Sequence, residues 1–74
     1  MRIAAIDTGS NSVRLLMWAD GRSLYKKIET TRLAEGLSAT GRLSDAAMRR
    51  TACAIAAFFE EAARGGAEKI CVFA

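Results

Sequence analysis

No proline interrupts these 74 residues, and no apolar run reaches the roughly 18 residues that a membrane-spanning helix needs. The absence of proline, with charged residues at only 26%, argues against a disordered, collagen-like or low-complexity chain. Cysteine is scarce. Cys53 and Cys71 stand alone, with neither CxxC nor zinc-ligand spacing, and read as two buried thiols in a reducing compartment. A disulfide between them stays open. Aromatic residues are few, one Trp, one Tyr and three Phe. With no RNP-like segment, they argue against a sheet that stacks RNA bases. Nothing at the N-terminus reads as a charged segment followed by the apolar core of a signal peptide. The expected location is cytoplasmic, with no membrane partner.

Acidic residues number 8 against 11 basic ones, a net charge of +3. That excess is mild. It permits an anionic ligand and does not call for nucleic acid. Apolar residues make up 51% of the chain, yet 15 residues are Ala and only 20 are Ile, Leu, Val, Met, Phe or Trp. A single small domain built from such residues has little stability to spare and needs a nearly complete core, or a partner.

Residues Arg2 to Asp7 read RIAAID, four apolar residues without alternation, as in a strand covered on both faces. Thr8-Gly9-Ser10-Asn11 is a dense turn signal. Ser12 to Ala19 form a second strand, with Val13, Leu15 and Met17 on one face and Arg14, Leu16 and Trp18 on the other. Asp20-Gly21 predicts a two-residue hairpin turn, so the third strand, Arg22 to about Leu33, runs antiparallel to the second. Its polar residues on both faces suit a sheet edge, where Lys26 and Lys27 guard against aggregation. Trp18 and Tyr25 flank the hairpin and are placed to pair across strands. Ala34 to Leu43, with Gly36 and Gly41, reads as a loop.

Ser44 or Asp45 caps a helix of about 20 residues, roughly 30 Å long. Ala47, Thr51, Ala54, Ile55, Phe58 and Ala62 mark its buried stripe, and Gly65-Gly66 its end. Arg49-Arg50 reads as a solvated basic doublet, and Glu35, Glu60 and Glu61 as solvated carboxylates. Glu68 to Ala74 form the last strand, parallel to the first after a crossover. The expected fold class is α/β, a β-β-β-α-β unit with a mixed sheet and one crossover helix. One helix covers one sheet face only, so the unit is expected to be an incomplete lobe or to pack on another subunit, with a homo-oligomer possible.

Chemistry concentrates in Ile6-Asp7-Thr8-Gly9-Ser10-Asn11-Ser12. A carboxylate ends a buried strand, and a tight turn follows in which several backbone N–H groups can converge on one anion. Gly9 has no Cβ to obstruct a phosphate oxygen. Ser10, Asn11 and Ser12 add donors without bulk, and Arg14 adds a positive charge on the strand face of Ser12. Asp7 repels a phosphate directly but can hold a Mg²⁺ that bridges to it. A plain hairpin turn uses the same residue types. An aspartic-protease reading, with Asp7 as half of a shared-proton dyad, is also open to the string Asp-Thr-Gly-Ser. It fits poorly, because no strands precede the Asp, no glycine-rich flap follows and the Ala-rich helix is long.

The opening stretch MRIAAIDTGSNSVRLL resembles the start of the exopolyphosphatase and guanosine pentaphosphate phosphohydrolase family, within the sugar kinase and actin-like ATPase superfamily. Thr31 to Leu37, TRLAEGL, resembles the family's TRLGEGL, and Thr40 to Ser44, TGRLS, its TGRLS segment. Ile70 to Ala74 resemble the strand before its TSAxR loop. The resemblance implies a ribonuclease-H-like fold of two lobes, with residues 1–74 as the N-terminal fragment of the first. It implies Mg²⁺-assisted removal of terminal phosphate from polyphosphate or guanosine pentaphosphate. It assigns Gly9, Ser10, Asn11 and Ser12 to the first phosphate loop, with Arg14 as a weaker carry-over, and Asp7 to the metal side. Thr8 departs from the family's usual Ile, Leu or Val, and Ala34 from its usual Gly. The second-loop Arg and the water-activating Glu fall beyond Ala74, so no catalytic residue is assigned and the fragment is expected to be inactive, its partner the remainder of the parent enzyme. The alternatives are a non-catalytic phosphate-binding or assembly module and a sugar kinase or other ATPase of the superfamily. The TRLAEGL and TGRLS segments favour the phosphohydrolase over the latter.

Overall fold

The computed structural model describes residues 1–35 and 37–73. Gly36, read above as part of a loop, and Ala74, read as the end of the last strand, lie outside the described residues. The elements are β1 (Arg2–Thr8), β2 (Ser12–Ala19), β3 (Arg22–Thr30), the short α1 (Leu37–Thr40), α2 (Asp45–Arg64) and β4 (Lys69–Phe73). The sheet order is β3-β2-β1-β4, with β1 antiparallel to β2, β2 antiparallel to β3, and β4 parallel to β1. This is the expected mixed sheet with one long helix on one face. Among the described residues, no helix is long and apolar enough to cross a membrane.

Asp20 and Gly21 both take positive φ, 52° and 77°, the pairing that a tight hairpin turn requires. Strand β3 ends at Thr30, three residues earlier than the polar run 22–33 suggested. The N–H groups of Thr31 and Arg32 leave the ladder and both donate to the Asn11 carbonyl, at 3.1 and 3.0 Å. Within the segment read as a loop, Leu37–Thr40 closes one helical turn.

Ser44 caps α2 through its hydroxyl, which accepts the Ala47 N–H at 3.1 Å. The stripe Ala47, Thr51, Ala54, Phe58 and Ala62 is buried, and Ile55 is half-buried at its margin. Ala54, Phe58 and Ala62 of the stripe form one core with Ala4 and Ile6 of β1 and Val13, Leu15 and Met17 of β2. Gly66, at φ +84°, turns the chain back toward β4.

Opposite side chains across the ladders form rows on the helix-free face: Phe73, Asp7, Arg14 and Ile28; then Cys71, Ala5, Leu16 and Lys26; then Lys69, Ile3, Trp18 and Ser23. Ala5 is buried even here, but Ile28 and Phe73 are more than half exposed. On this face of β1 only Ala5 is buried, while Ile3 and Asp7 are half-buried, so the cover on both faces that its sequence suggested is not there.

Several expectations change. Tyr25 stands opposite Met17 on the helix face, and Trp18 opposite Ser23 on the open face, because a bulge between Met17 and Trp18 shifts the register. The two rings do not pair. Cys53 is exposed, lying off the buried stripe of α2, and Cys71 is half-buried on the helix-free face. They sit on opposite sides of the sheet, so both are free. Glu61 is not simply solvated. It is half-buried and accepts hydrogen bonds from Tyr25 Oη at 3.1 Å and Lys27 Nζ at 3.0 Å, tying α2 to the edge strand. Glu35 pairs with Arg50 at 3.0 Å. Arg50 is half-buried with both a carbonyl and a carboxylate as acceptors, unlike exposed Arg49.

Candidate functional site

Strands β1 and β2 are joined by Gly9, Ser10 and Asn11, and the joint closes with the Gly9 N–H donating to the Ser12 carbonyl at 2.9 Å. A Cβ on Gly9 would stand 3.1 Å from that carbonyl oxygen, tighter than side chains normally approach. The glycine is favoured by the closeness of the turn, not by its φ.

The loop carbonyls face the segment that follows β3. Asn11 C=O accepts from Thr31 and Arg32, and Ser10 C=O accepts from the Ala34 N–H at 3.0 Å. A trans peptide holds its N–H opposite its C=O, so anchoring the Ser10 carbonyl turns the Asn11 amide away from residues 31–34. Among the described residues, neither the Ser10 nor the Asn11 amide has a protein acceptor. These donors remain available to an anion.

Asp7, Gly9, Ser10, Asn11, Ser12 and Arg14 together line one cleft of about 260 Å³. They are the six positions singled out from the sequence. Asp7 and Arg14 face each other across the ladder on the helix-free side, yet no ion pair joins them. The cleft therefore offers one carboxylate, one guanidinium, small hydroxyl and amide groups and unpaired backbone donors. Thr8, the departure within the motif, turns to the other face with Val13 and contributes nothing to the cleft; its hydroxyl is buried without a hydrogen-bond partner.

Asp7 is the one carboxylate in the cleft, and among the described residues no group of three metal-ligating side chains gathers anywhere. That donor set fits a Mg²⁺ held jointly by one carboxylate, water and phosphate oxygens, and does not fit an all-protein metal cage. The 20-residue α2 packed on a four-stranded mixed sheet fits poorly with the protease reading of Asp7.

Lys27 is engaged with Glu61 on the helix face of the sheet, whereas Asp7 lies on the helix-free face. The backing of the loop by residues 31–34 was not read from the sequence. The TRLAEGL resemblance marked that segment, but gave no sign that its amides would hold the Ser10 and Asn11 carbonyls.

No family model matches the chain. Exopolyphosphatase 2 of Mycobacterium tuberculosis is 37% identical over 67 residues, covering 80% of this chain and 21% of the relative. A solved Ppx/GppA phosphatase from Aquifex aeolicus superposes with a TM-score of 0.88 at 28% identity, over 97% of this chain and 25% of that one. This chain corresponds to the N-terminal segment of the exopolyphosphatase/GppA family. An exopolyphosphatase from Cytophaga hutchinsonii shares the fold, with a TM-score of 0.84 at 21% identity. The chain spans about a fifth to a quarter of the length of these relatives. Within this exopolyphosphatase/GppA segment, the four-stranded mixed sheet and its helix match part of the N-terminal lobe of the actin-like fold.

Proposed function

We propose that this chain supplies the first phosphate-binding loop of a Mg²⁺-dependent phosphohydrolase that removes terminal phosphate from inorganic polyphosphate or guanosine pentaphosphate. One observation carries the reading: the six positions nominated by their chemistry line a single cleft beside loop amides that have no protein acceptor. The exopolyphosphatase relatives supply the reaction class.

In this reading the Ser10 and Asn11 amides and the Ser12 hydroxyl donate to phosphate oxygens. Arg14 balances their charge, and Gly9 keeps the turn tight enough for the donors to converge. Asp7 would hold the metal, which when bound neutralises phosphate charge and orients the phosphoryl group. In-line attack by water needs groups on the far side of the phosphate. None of the described residues that line the cleft is assigned that role, so the share proposed for this chain is binding and orientation.

Calorimetric titration with inorganic pyrophosphate tests the reading. Binding should strengthen with Mg²⁺ in the unaltered chain. Asp7→Asn should abolish that Mg²⁺ dependence and strengthen metal-free binding, because a carboxylate facing phosphate is removed. Arg14→Ala should weaken binding about three- to fivefold, the scale of a partly screened charge. Phosphate release from polyphosphate by the 74-residue chain should be undetectable; measurable Mg²⁺-dependent release would contradict this division of labour.

A further inference from the structure

The loop is held from behind by a segment that belongs to no strand. Three amides, from Thr31, Arg32 and Ala34, grip two loop carbonyls. Arg32 takes φ 50°, a left-handed conformation that a non-glycine residue keeps only where its surroundings impose it. Arg50 of α2 supplies the restraint. Its Nε donates to the Thr31 carbonyl at 2.9 Å and its Nη2 to Glu35 Oε2 at 3.0 Å. The Glu35 N–H closes the turn on the Arg32 carbonyl at 3.0 Å, and Glu35 also lies 3.5 Å from Arg32 Nε. One planar guanidinium therefore spans both ends of a five-residue turn, Thr31 to Glu35.

Building on the phosphate reading above, we infer that Arg50 is a positioning residue for the phosphate loop. Its hydrogen-bond partners, Thr31 and Glu35, are not cleft-lining residues. Arg50 fixes the Thr31–Glu35 turn, that turn holds the Ser10 and Asn11 carbonyls, and through the shared peptide plane the Ser10 carbonyl sets the direction of the Asn11 amide that meets phosphate. A lysine reaches one acceptor where the arginine fork reaches two, so charge without the fork is not enough. The sequence gives a built-in comparison, since neighbouring Arg49 carries the same charge on an exposed position.

Amide spectra of the full chain, free and titrated with inorganic pyrophosphate, test this with Arg50→Gln, Arg50→Lys and Arg49→Gln. In the free protein, Arg50→Gln should move the Ser10, Asn11 and Ser12 resonances, Arg50→Lys should move them less, and Arg49→Gln should leave them in place. Pyrophosphate affinity should fall about three- to tenfold in Arg50→Gln, the scale of coupling through packed intermediates, and stay unchanged in Arg49→Gln. Unmoved loop resonances in Arg50→Gln overturn the inference. So does an equal loss in Arg49→Gln, which would make the effect one of overall charge. If the unaltered chain binds no pyrophosphate, the phosphate reading fails, while the ligand-free resonances still decide whether Arg50 positions the loop. If Arg50→Gln unfolds, Glu35→Ala, which removes the second acceptor at a side chain 53% exposed, carries the same comparison.

Discussion

Thr8 ends β1 with a hydroxyl that is buried and has no hydrogen-bond partner. The turn after it favours Gly9 for closeness and three small polar residues for donors, but nothing in the cleft uses the Thr8 oxygen. A buried unpaired hydroxyl costs about 1–3 kcal/mol, much of it recovered when an apolar isostere replaces it. Thr8→Val should therefore raise stability by about 1 kcal/mol in urea titration, with pyrophosphate affinity unchanged. A loss of stability would show that the hydroxyl is satisfied. Gly9→Ala works in the opposite direction. Its methyl group pushes on the Ser12 carbonyl, and weakening the hydrogen bond that closes the turn should cost about 0.5–1.5 kcal/mol and lower pyrophosphate affinity.

Among the elements, α2 depends on its cap and on its link to the sheet edge. Ser44→Ala removes the acceptor of the Ala47 N–H and should destabilise the chain by about 1 kcal/mol. At the edge, the hydrogen bond from Lys27 holds the Glu61 carboxyl below its ordinary value, helped by Tyr25 and opposed by partial burial. Tyr25 is raised, first by partial burial and then by Glu61. A carboxyl depressed in the folded state stabilises it above the ordinary carboxyl range, and that contribution is lost as pH falls through the depressed value. The stability difference between the unaltered chain and Glu61→Gln should therefore shrink from about pH 5 downward. Its size near neutrality should be about 0.2–1 kcal/mol, as for exposed pairs. A difference constant across that range would remove Glu61 from the link. The raised phenol gives the opposite sign: its contribution is present below about pH 10 and is lost as pH rises through the raised value. Such contacts mark what was legible. Local signals gave the hairpin at Asp20-Gly21, the Ser44 cap, the α2 stripe and the glycine stop. The six candidate residues lie within one hairpin, so a turn must gather them. The end of β3 at Thr30, the bulge that parts Trp18 from Tyr25 and the grip of Arg50 on Thr31 all depend on partners distant in the chain. No local pattern encodes them.

At the scale of the whole molecule, one layer of helix covers one face of the sheet. The accessible surface is 5031 Å², against about 4,400 Å² for a compact monomer of this mass. The helix-free face accounts for part of that excess, with Ile28 and Phe73 flanking the Asp7–Arg14 pair. Trp18, the single tryptophan, lies on that face and reports on it. In the isolated chain its fluorescence should be quenched readily by acrylamide, and shielding would show that the face is covered. The same openness leaves the cleft reachable from solvent, which allows the central claim to be tested on this chain directly. Amide shifts followed through a titration with inorganic pyrophosphate and Mg²⁺ should move chiefly at residues 8–12, saturably, with smaller effects at Asp7 and Arg14. No movement there, or shifts spread evenly over the surface lysines and arginines, would contradict the account.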